Sequence, residues 1–483
     1  MPRRSELIRL AAAMALVLVA IVGVVVKDDP QTASSVSSDD GASQVDASAA
    51  PGTSGVPGAP AASGEPSSGT VVVPGATTRP GTSVPGDVPV VRTKGPPIKV
   101  GVHVGDNRTA ASQFGVAGLP NVDTKEVDAV VRAVNATGGL AGRPIVPAYH
   151  QTDPVNGTWD AQNQKACDDF AGDKKVPLIV ANVLAPSPVL MECLAKHHIP
   201  LVYELHTQQI TDAESARLRG YIYRPSMPNA ERLGVVVDGL AKAGFFKSAK
   251  VGIIRYDDAT ATLISKKVFR PRLAAHHVNV VSEYTMPHPS QAADATKASG
   301  QTSSAVLQFR NDGVTHVLYV PSGGVIPLLF MTSAQSQGFY PKYGISSQDA
   351  PGFLSENFDE RTLGDSLAVG WAPELDGDPT VKRSAANARC HKALATAGLP
   401  WDSNLEPFCD GFFFLQAALA DAPAVTVDAL RAGAESLGTS FDSPYVFGTR
   451  FIPGHTDGPH QARLLRFDAK VDAFRYTGSF FGF

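Results

Sequence analysis

The sequence predicts an α/β protein with two lobes, and three observations support this fold class. Short apolar segments alternate with stretches of helical periodicity from residue 98 onward, a pattern typical of mostly parallel sheets with helices on both faces. This alternation occurs in two series, at 98–205 and 249–338. Extended segments at 219–234 and 340–350 adjoin the second series and indicate crossings between two hinged lobes.

The first series begins with an apolar strand at 98–104, followed by a helix at 123–135 in which valines recur at helical spacing. Gly138 and Gly139 supply the positive φ that favours a helix C-terminus, and Pro144 opens the next strand. The remaining predicted elements are a helix at 160–172, a strand at 177–183, a helix at 187–197 and a strand at 199–205.

The second series follows a helix that Asn229 is predicted to cap. Its strands are predicted at 249–256, 278–285 and 315–322, with helices that end near residues 276, 311 and 338. After residue 350 the chain is expected to return to the first lobe, with a strand at 367–374 and helices around 380–397 and 408–420. An alternating segment at 463–478 is typical of a β-hairpin that closes the fold.

The N-terminal 27 residues have the pattern of an export segment, because three arginines precede an uncharged apolar run at 10–26. This run just reaches the lower limit for crossing a bilayer, and no clear cleavage site follows it. The pattern favours an uncleaved anchor with its N-terminus inside over a cleaved signal peptide. Residues 28–96 lack aromatic side chains and are rich in Ala, Ser, Gly and Pro, which predicts a disordered tether before a folded region at 97–483.

Composition and cysteine spacing exclude some classes of function. Charged residues make up 18% of the chain and the net charge is −4; no basic run is interleaved with aromatic residues, so nucleic acid is not an expected partner. The four cysteines form two sequence-local pairs without a Cys-x-x-Cys motif, which favours two disulfides over a metal site. Four buried free thiols are the alternative, but export favours the oxidised state.

The stretch VNATGGLAGRPI at 134–145 resembles the Asn-x-x-Gly-Gly-x-x-Gly-x-x-Ile signature after the first helix of type I periplasmic binding proteins, the branched-chain amino acid (Leu/Ile/Val-binding-like) receptor group of ABC importers. The resemblance covers about residues 96–483 and includes the order of elements. It implies two lobes that close over a small solute, without a cofactor or a metal. The implied lobes are about 97–222 with 350–440, and about 223–345 with a C-terminal hairpin at about 444–483.

The resemblance also implies a ligand cleft between the tips of strands from both lobes. In the first lobe it assigns ligand contacts to Phe114, Ala185, Ser187, Leu205, His206 and Thr207, of which Phe114 packs on the ligand and the others donate hydrogen bonds or form the turn that grips a carboxylate. In the second lobe it assigns Asp257, Ser322, Gly323 and Asp349, the last as the partner of an ammonium group. Glu204, Leu205 and His206 are bulkier and more charged than the Ala-Ala-Thr turn of the family pattern, which points away from a plain aliphatic amino acid.

Within this arrangement the cysteine pairs have a structural role. Cys167 and Cys193 fall on neighbouring helices of the first lobe, and Cys390 and Cys409 flank a turn, so each pair is predicted to form a disulfide. The four are not expected to take part in catalysis.

The resemblance implies a solute-binding protein that captures an amino acid or a related amide or carboxylate by hinge closure and delivers it to an ABC transporter permease. It is expected outside the cytoplasm of a bacterium, tethered to the membrane or secreted if the signal is cleaved. A ligand-binding sensor ectodomain with a separate partner protein is the alternative. An enzyme such as an α/β hydrolase is not favoured, because the sequence contains no Gly-x-Ser-x-Gly elbow, His-Glu-x-x-His or phosphate loop.

Overall fold

The computed structural model describes residues 95–106, 121–183, 187–204, 208–321 and 323–483. The export segment at 1–27 and nearly all of the tether at 28–96 lie outside the described residues. Within the described ranges, no helix combines the length and the apolar character needed to cross a membrane.

The first lobe is built on a sheet of five parallel strands in the order β2-β1-β3-β4-β5. Its strands are β1 Ile98–Gly105, β2 Ile145–Thr152, β3 Ile179–Asn182, β4 Leu201–Tyr203 and β5 Ile222–Tyr223, and the helices between them are α1 Thr124–Ala136, α2 Trp159–Asp168, α3 Val189–Lys196 and α4 Asp212–Arg217. Gly101 of β1 allows close packing, because a Cβ there would lie 2.6 Å from Ile179 Cγ1 and 3.0 Å from the Phe170 ring.

The joint between α1 and β2 confirms the prediction for this motif. Asp123 caps α1 in a capping box with Glu126, and the valines of the helix face the core. Gly139 has a φ of +68°, and a Cβ at this position would lie 1.9 Å from the Arg143 carbonyl oxygen. Only glycine fits both the backbone conformation and the space.

The second lobe is built on a seven-stranded sheet in the order β12-β11-β10-β9-β8-β6-β7. Five strands are parallel: β6 Lys250–Tyr256, β7 Asn279–Met286, β8 His316–Tyr319, β9 Lys342–Ser346 and β10 Leu367–Gly370. The predicted hairpin, β11 Gln461–Asp468 and β12 Ala473–Gly482, adds antiparallel strands at one edge. The helices are α5 Gly234–Lys242, α6 Ala259–Leu263, α7 Arg270–Ala275, α8 Asp294–Asn311, α9 Val325–Ser336, α10 Pro351–Asn357, α11 Glu360–Leu363 and α12 Pro373–Asp376.

Two predictions about the lobe crossings are wrong. The segment at 340–350 contains β9, which lies between β8 and β10 inside the second sheet, so it is not a crossing. The strand predicted for the first lobe at 367–374 is β10, which pairs with β9 and β11 of the second sheet. A short strand that is buried on both faces is apolar throughout, so its sequence specifies burial but not the sheet to which it belongs.

A third prediction, on the first crossing, is also wrong in detail. Asn229 occupies the N-cap position of the short helical turn Ala230–Leu233, but its side chain makes no capping hydrogen bond. Its side-chain nitrogen Nδ2 instead donates to Asp212 Oδ1 at 2.9 Å. This hydrogen bond joins the crossing to α4 of the first lobe.

Three connections join the lobes, at 224–229, 377–384 and 437–460. The first and third lie side by side, since Arg224 N donates to the Thr456 carbonyl at 2.8 Å and Gly458 N donates to the Arg224 carbonyl at 3.0 Å. Between the second and third connections the chain covers the first sheet with α13 Ala385–Thr396, α14 Glu406–Ala418 and α15 Val427–Ser436.

Both predicted disulfides are confirmed. The Cys167–Cys193 bridge joins the helices α2 and α3, and the Cys390–Cys409 bridge joins α13 and α14. The first bridge packs with Ile179 and the second packs with Val180. Because successive residues of a strand point to opposite faces, the two bridges lie on opposite faces of the first sheet.

Candidate functional site

Two of the hydrogen bonds between the lobes show how the lobes face each other. The Trp159 backbone N–H, at the start of α2, donates to the Ser290 carbonyl, which follows β7, at 2.9 Å. Gln348 Nε2, after β9, donates to Gln209 Oε1, after β4, at 3.2 Å. All four residues lie just beyond the carboxyl ends of strands, so these ends of the two sheets oppose each other, with β2 opposite β7 and β4 opposite β9.

The order of strands places the ends of two strand pairs between these two hydrogen bonds. In the first sheet, β1 and β3 lie between β2 and β4, and in the second sheet β6 and β8 lie between β7 and β9. The carboxyl ends of β1 and β3 therefore face those of β6 and β8. The carboxyl ends of parallel strands are where open α/β sheets bind ligands.

Two helices begin on the side of the sheets where these strands end. The helices α3, after β3, and α9, after β8, have Pro188 and Gly324 at their N-caps, and neither residue makes a side-chain capping hydrogen bond. The Val189 N–H of α3 is bonded to the Ser187 hydroxyl, so it is the partial positive charge of the helix N-termini that favours an anionic ligand.

The structure describes four of the ten predicted ligand-binding residues, namely Ser187, Asp257, Gly323 and Asp349. The other six, Phe114, Ala185, Leu205, His206, Thr207 and Ser322, lie outside the described residues. In sequence these six follow β1, β3, β4 and β8.

Ser187 is buried and organises the loop before α3. Its hydroxyl donates to Asp160 Oδ1 at 2.6 Å and accepts from the Val189 N–H at 3.1 Å. Its backbone N–H donates to Gln208 Oε1 at 3.1 Å, which also accepts from the Tyr203 hydroxyl at 3.1 Å. In this arrangement the hydroxyl hydrogen of Ser187 bonds to Asp160, and Gln208 connects the loops after β3 and β4.

The second-lobe residues have different surroundings. Asp257 is exposed, and its Oδ1 accepts from the His288 N–H at 2.8 Å, which joins the loops after β6 and β7. Gly323 and Gly324 have φ values of +69° and +83°, a left-handed turn that non-glycine residues rarely adopt. Asp349 is buried, and its Oδ2 accepts from the Ser346 N–H at 2.9 Å and from the Ser346 hydroxyl at 2.8 Å.

Gln348 adjoins Asp349 at a strand tip that the family resemblance assigns to the ligand. Its side chain is fully buried between the lobes, and Nε2 lies 3.6 Å from Met227 Sδ in addition to its bond to Gln209. Gln348 Oε1 is buried without a hydrogen-bond donor among the described residues. A buried acceptor without a donor is costly, so a donor group on a ligand would be stabilised here. The signal in the sequence was a polar run, SSQD, directly after an apolar strand.

Comparison with known proteins shows what this architecture is similar to. Residues 98–472 match the model of a family described as "Periplasmic binding protein". No curated relative matches the chain by sequence.

Solved structures with a similar fold include three with bound ligands. A solute-binding protein of an ABC transporter from R. palustris, in complex with 4-hydroxybenzoate, is 15% identical with a TM-score of 0.58, over 80% of this chain and 97% of that chain. An ABC transporter substrate-binding protein from Desulfitobacterium hafniense, in complex with Leu, is 14% identical with a TM-score of 0.55, over 79% and 100%. A branched-chain amino acid ABC transporter protein from Thermus thermophilus with bound valine is 12% identical with a TM-score of 0.58, over 81% and 97%.

Proposed function

The chain belongs to the periplasmic binding protein family, and from this premise we propose that it captures a small carboxylate outside the cytoplasm and delivers it to an ABC importer. The observation that carries the proposal is that the carboxyl ends of β1 and β3 face those of β6 and β8, with an interlobe hydrogen bond at each side. We propose that the ligand cleft lies between these strand ends. Three chain connections join the lobes, which suits hinge closure around a ligand.

The proposed ligand class is an amino acid or a related amide or carboxylate. The ligands of the three similar structures, 4-hydroxybenzoate, leucine and valine, share a carboxylate, and the helix N-termini at this cleft favour one. We propose that the carboxylate meets Ala185, Ser187 and Thr207. The other proposed ligand contacts are Phe114, Leu205, His206, Asp257, Ser322, Gly323 and Asp349.

We further propose that the binding region lies on the outer side of a bacterial membrane, held there by residues 1–27 or released after their cleavage. The proposed partner is the permease of an ABC transporter. Delivery differs from sensing in one measurable respect: the liganded protein should stimulate ATP hydrolysis by its reconstituted transporter, whereas a sensor should not.

A thermal-shift panel of matched pairs tests the ligand class. Leucine, valine and 4-hydroxybenzoate are each compared with the corresponding carboxamide, which lacks the negative charge. A ligand present at 100 times its dissociation constant stabilises the folded state by about 2.7 kcal/mol, so a carboxylate that fits should raise the melting temperature while its carboxamide should not. Equal shifts for acid and amide, or a shift only with uncharged solutes, would contradict a carboxylate ligand.

A further inference from the structure

Two acidic side chains contact each other in the interior of the first lobe. Glu204 directly follows β4, Asp410 lies on α14, and both are fully buried. Their carboxyl groups are in hydrogen-bonding contact. Glu204 Oε1 and Asp410 Oδ2 have no donor on any other described residue. Two ionised carboxylates only accept hydrogen bonds, so this contact is favourable only when one of them carries a proton.

The remaining oxygens of this pair bind two of the three connections between the lobes. Glu204 Oε2 accepts from the hydroxyl of Ser226, in the first connection. Asp410 Oδ1 accepts at 2.6 Å from the hydroxyl of Ser443, in the third connection. Ser443 Oγ in turn accepts from the backbone N–H groups of Tyr445 and Val446, each at 3.0 Å. A continuous chain of hydrogen bonds therefore joins the two connections, and its central link contains the shared proton.

The charged groups around the pair do not favour ionisation of both carboxyls. Arg224, from the first connection, attracts Glu204, whereas Asp442, beside Ser443, repels Asp410. A third buried carboxyl, Glu406, lies one turn before Asp410 on α14, and its cationic partner is Arg383 of the second connection. Tyr445 faces these carboxyls from the third connection.

We propose that Glu204 and Asp410 are positioning residues of the lobe hinge. The one proton that they share holds the first and third connections together, and loss of this proton loosens both connections. The chain of hydrogen bonds from Ser226 to Ser443 carries this inference. It deepens the proposed function, because the hinge is the element on which closure over a solute depends, but its test needs no solute.

The direction of the pH dependence follows from burial. Burial and then the neighbouring Asp410 raise the pKa of Glu204 well above its ordinary value, and burial raises the pKa of Asp410 to about 7. A carboxyl whose pKa is higher in the folded state contributes stability that is complete below the unfolded pKa of about 4 and is lost as the pH rises through the folded value. The hinge should be firm at pH 5 to 6 and loose above pH 8.

Hydrogen exchange of the full chain between pH 5.5 and 8.5 tests the proposal. The reporters are the Tyr445 and Val446 amides, which bind Ser443, with β1 amides as internal reference. After correction for intrinsic exchange, the protection of the reporters should fall about tenfold relative to β1 as the pH rises by one unit past the folded pKa. Glu204→Gln replaces the shared proton with an amide N–H that does not titrate, so its reporters should stay protected at every pH.

Asp410→Asn provides the same replacement from the other partner, in case one variant does not fold. Glu356→Gln, which removes a carboxyl on α10 whose pKa burial also raises, should keep the wild-type profile. A flat profile in the wild-type chain overturns the proposal. The same is true if the variants show the wild-type fall, or if they lose protection at all pH values. None of these outcomes affects the carboxylate panel, so the two proposals fail separately.

Discussion

The first lobe contains both disulfides of the chain, whereas the second lobe contains no cysteine. The sheets also differ in size. In the first sheet, β4 and β5 have only three and two residues. The second sheet has seven strands and ends in a hairpin whose strands have eight and ten residues. Disulfides thus crosslink the helices on both faces of the smaller sheet, whereas the helices on the larger sheet are held by noncovalent contacts alone.

The five parallel strands follow the same order in both lobes, but only the first lobe is stabilised by covalent crosslinks. The short strands β4 and β5 provide few ladder hydrogen bonds. Disulfides that join α2 to α3 and α13 to α14 hold these helices on the first sheet by restricting the unfolded chain. Each lobe also buries two large apolar clusters, so the disulfides add to burial in the first lobe, whereas burial acts without a crosslink in the second.

Removal of both disulfides should have the largest effect and should act on the first lobe. The bridges close loops with sequence separations of 26 and 19, and loops of this size are worth about 3 kcal/mol each. Replacement of all four cysteines by alanine should therefore lower the free energy of unfolding by about 6 kcal/mol. Hydrogen exchange should show lost protection at β1 and β3, while β6 and β8 stay protected. Equal loss in both lobes would show that the second lobe depends on the first.

An ion-pair network in the second lobe provides a noncovalent counterpart to the disulfides of the first lobe. Glu283 on β7 accepts from Arg255 Nε at 2.6 Å, from Arg270 Nη2 at 2.6 Å and from the Ser265 hydroxyl at 3.1 Å. Burial opposes ionisation, but the two arginines outweigh it and hold the pKa of Glu283 below its ordinary value.

Glu283→Gln should cost about 2 kcal/mol at pH 7, because hydrogen bonds to a charged group are lost. A group with a lowered folded pKa loses its contribution as the pH falls through that value, so the difference from wild type should shrink in strong acid. Urea unfolding at pH 7 and pH 3 measures both. A loss that is confined to β1 and β3 in hydrogen exchange would contradict the assignment of this network to the second lobe.

Local periodicity and turn chemistry predicted most of the fold. The Gly-Gly joint, the alternation of elements and the hairpin of β11 and β12 depend on neighbours in the sequence, and the structure confirms them. The sheet that takes β10 depends on pairing with the distant β11, which a uniformly apolar strand does not encode. The contact of Glu204 with Asp410 is distant in the same way and left no signal in the sequence.

The predicted site shows the same division. The positions of the strand tips followed from the element order, but the partners of individual side chains did not. Asp349 is an exception, because the pattern Ser346-x-x-Asp349 is that of a capping box. This local signal would have predicted that its carboxylate binds Ser346.

Two substitutions in the first lobe separate ligand contact from loop order. Thr207→Val should weaken carboxylate binding about tenfold, the effect of one lost hydrogen bond to a charged group, with little change in the melting temperature of the free protein. Ser187→Ala should weaken binding and also lower the melting temperature, because Asp160 and the Val189 N–H lose a partner. Calorimetric titration with the best carboxylate of the panel measures affinity. Unchanged affinity in both variants would reject the cleft assignment.

The smallest expected effect concerns the hydrogen bond that joins the lobes at β9 and β4. Gln348→Leu and Gln209→Leu each remove this bond, which is worth about 1 kcal/mol, and should shift the population toward an open form about fivefold. The distance distribution between spin labels on Lys175 of the first lobe and Lys247 of the second reports this shift.

The pair of variants also distinguishes two roles for Gln348. If its side chain serves closure alone, both variants should lose ligand affinity to the same extent. If Gln348 Oε1, which is buried without a donor among the described residues, also accepts a hydrogen bond from the solute, Gln348→Leu should lose more affinity than Gln209→Leu. The excess should appear with leucine, whose ammonium is a donor, and vanish with a carboxylate that has none. Specificity for the donor would then reside in the second lobe and recognition of the carboxylate in the first.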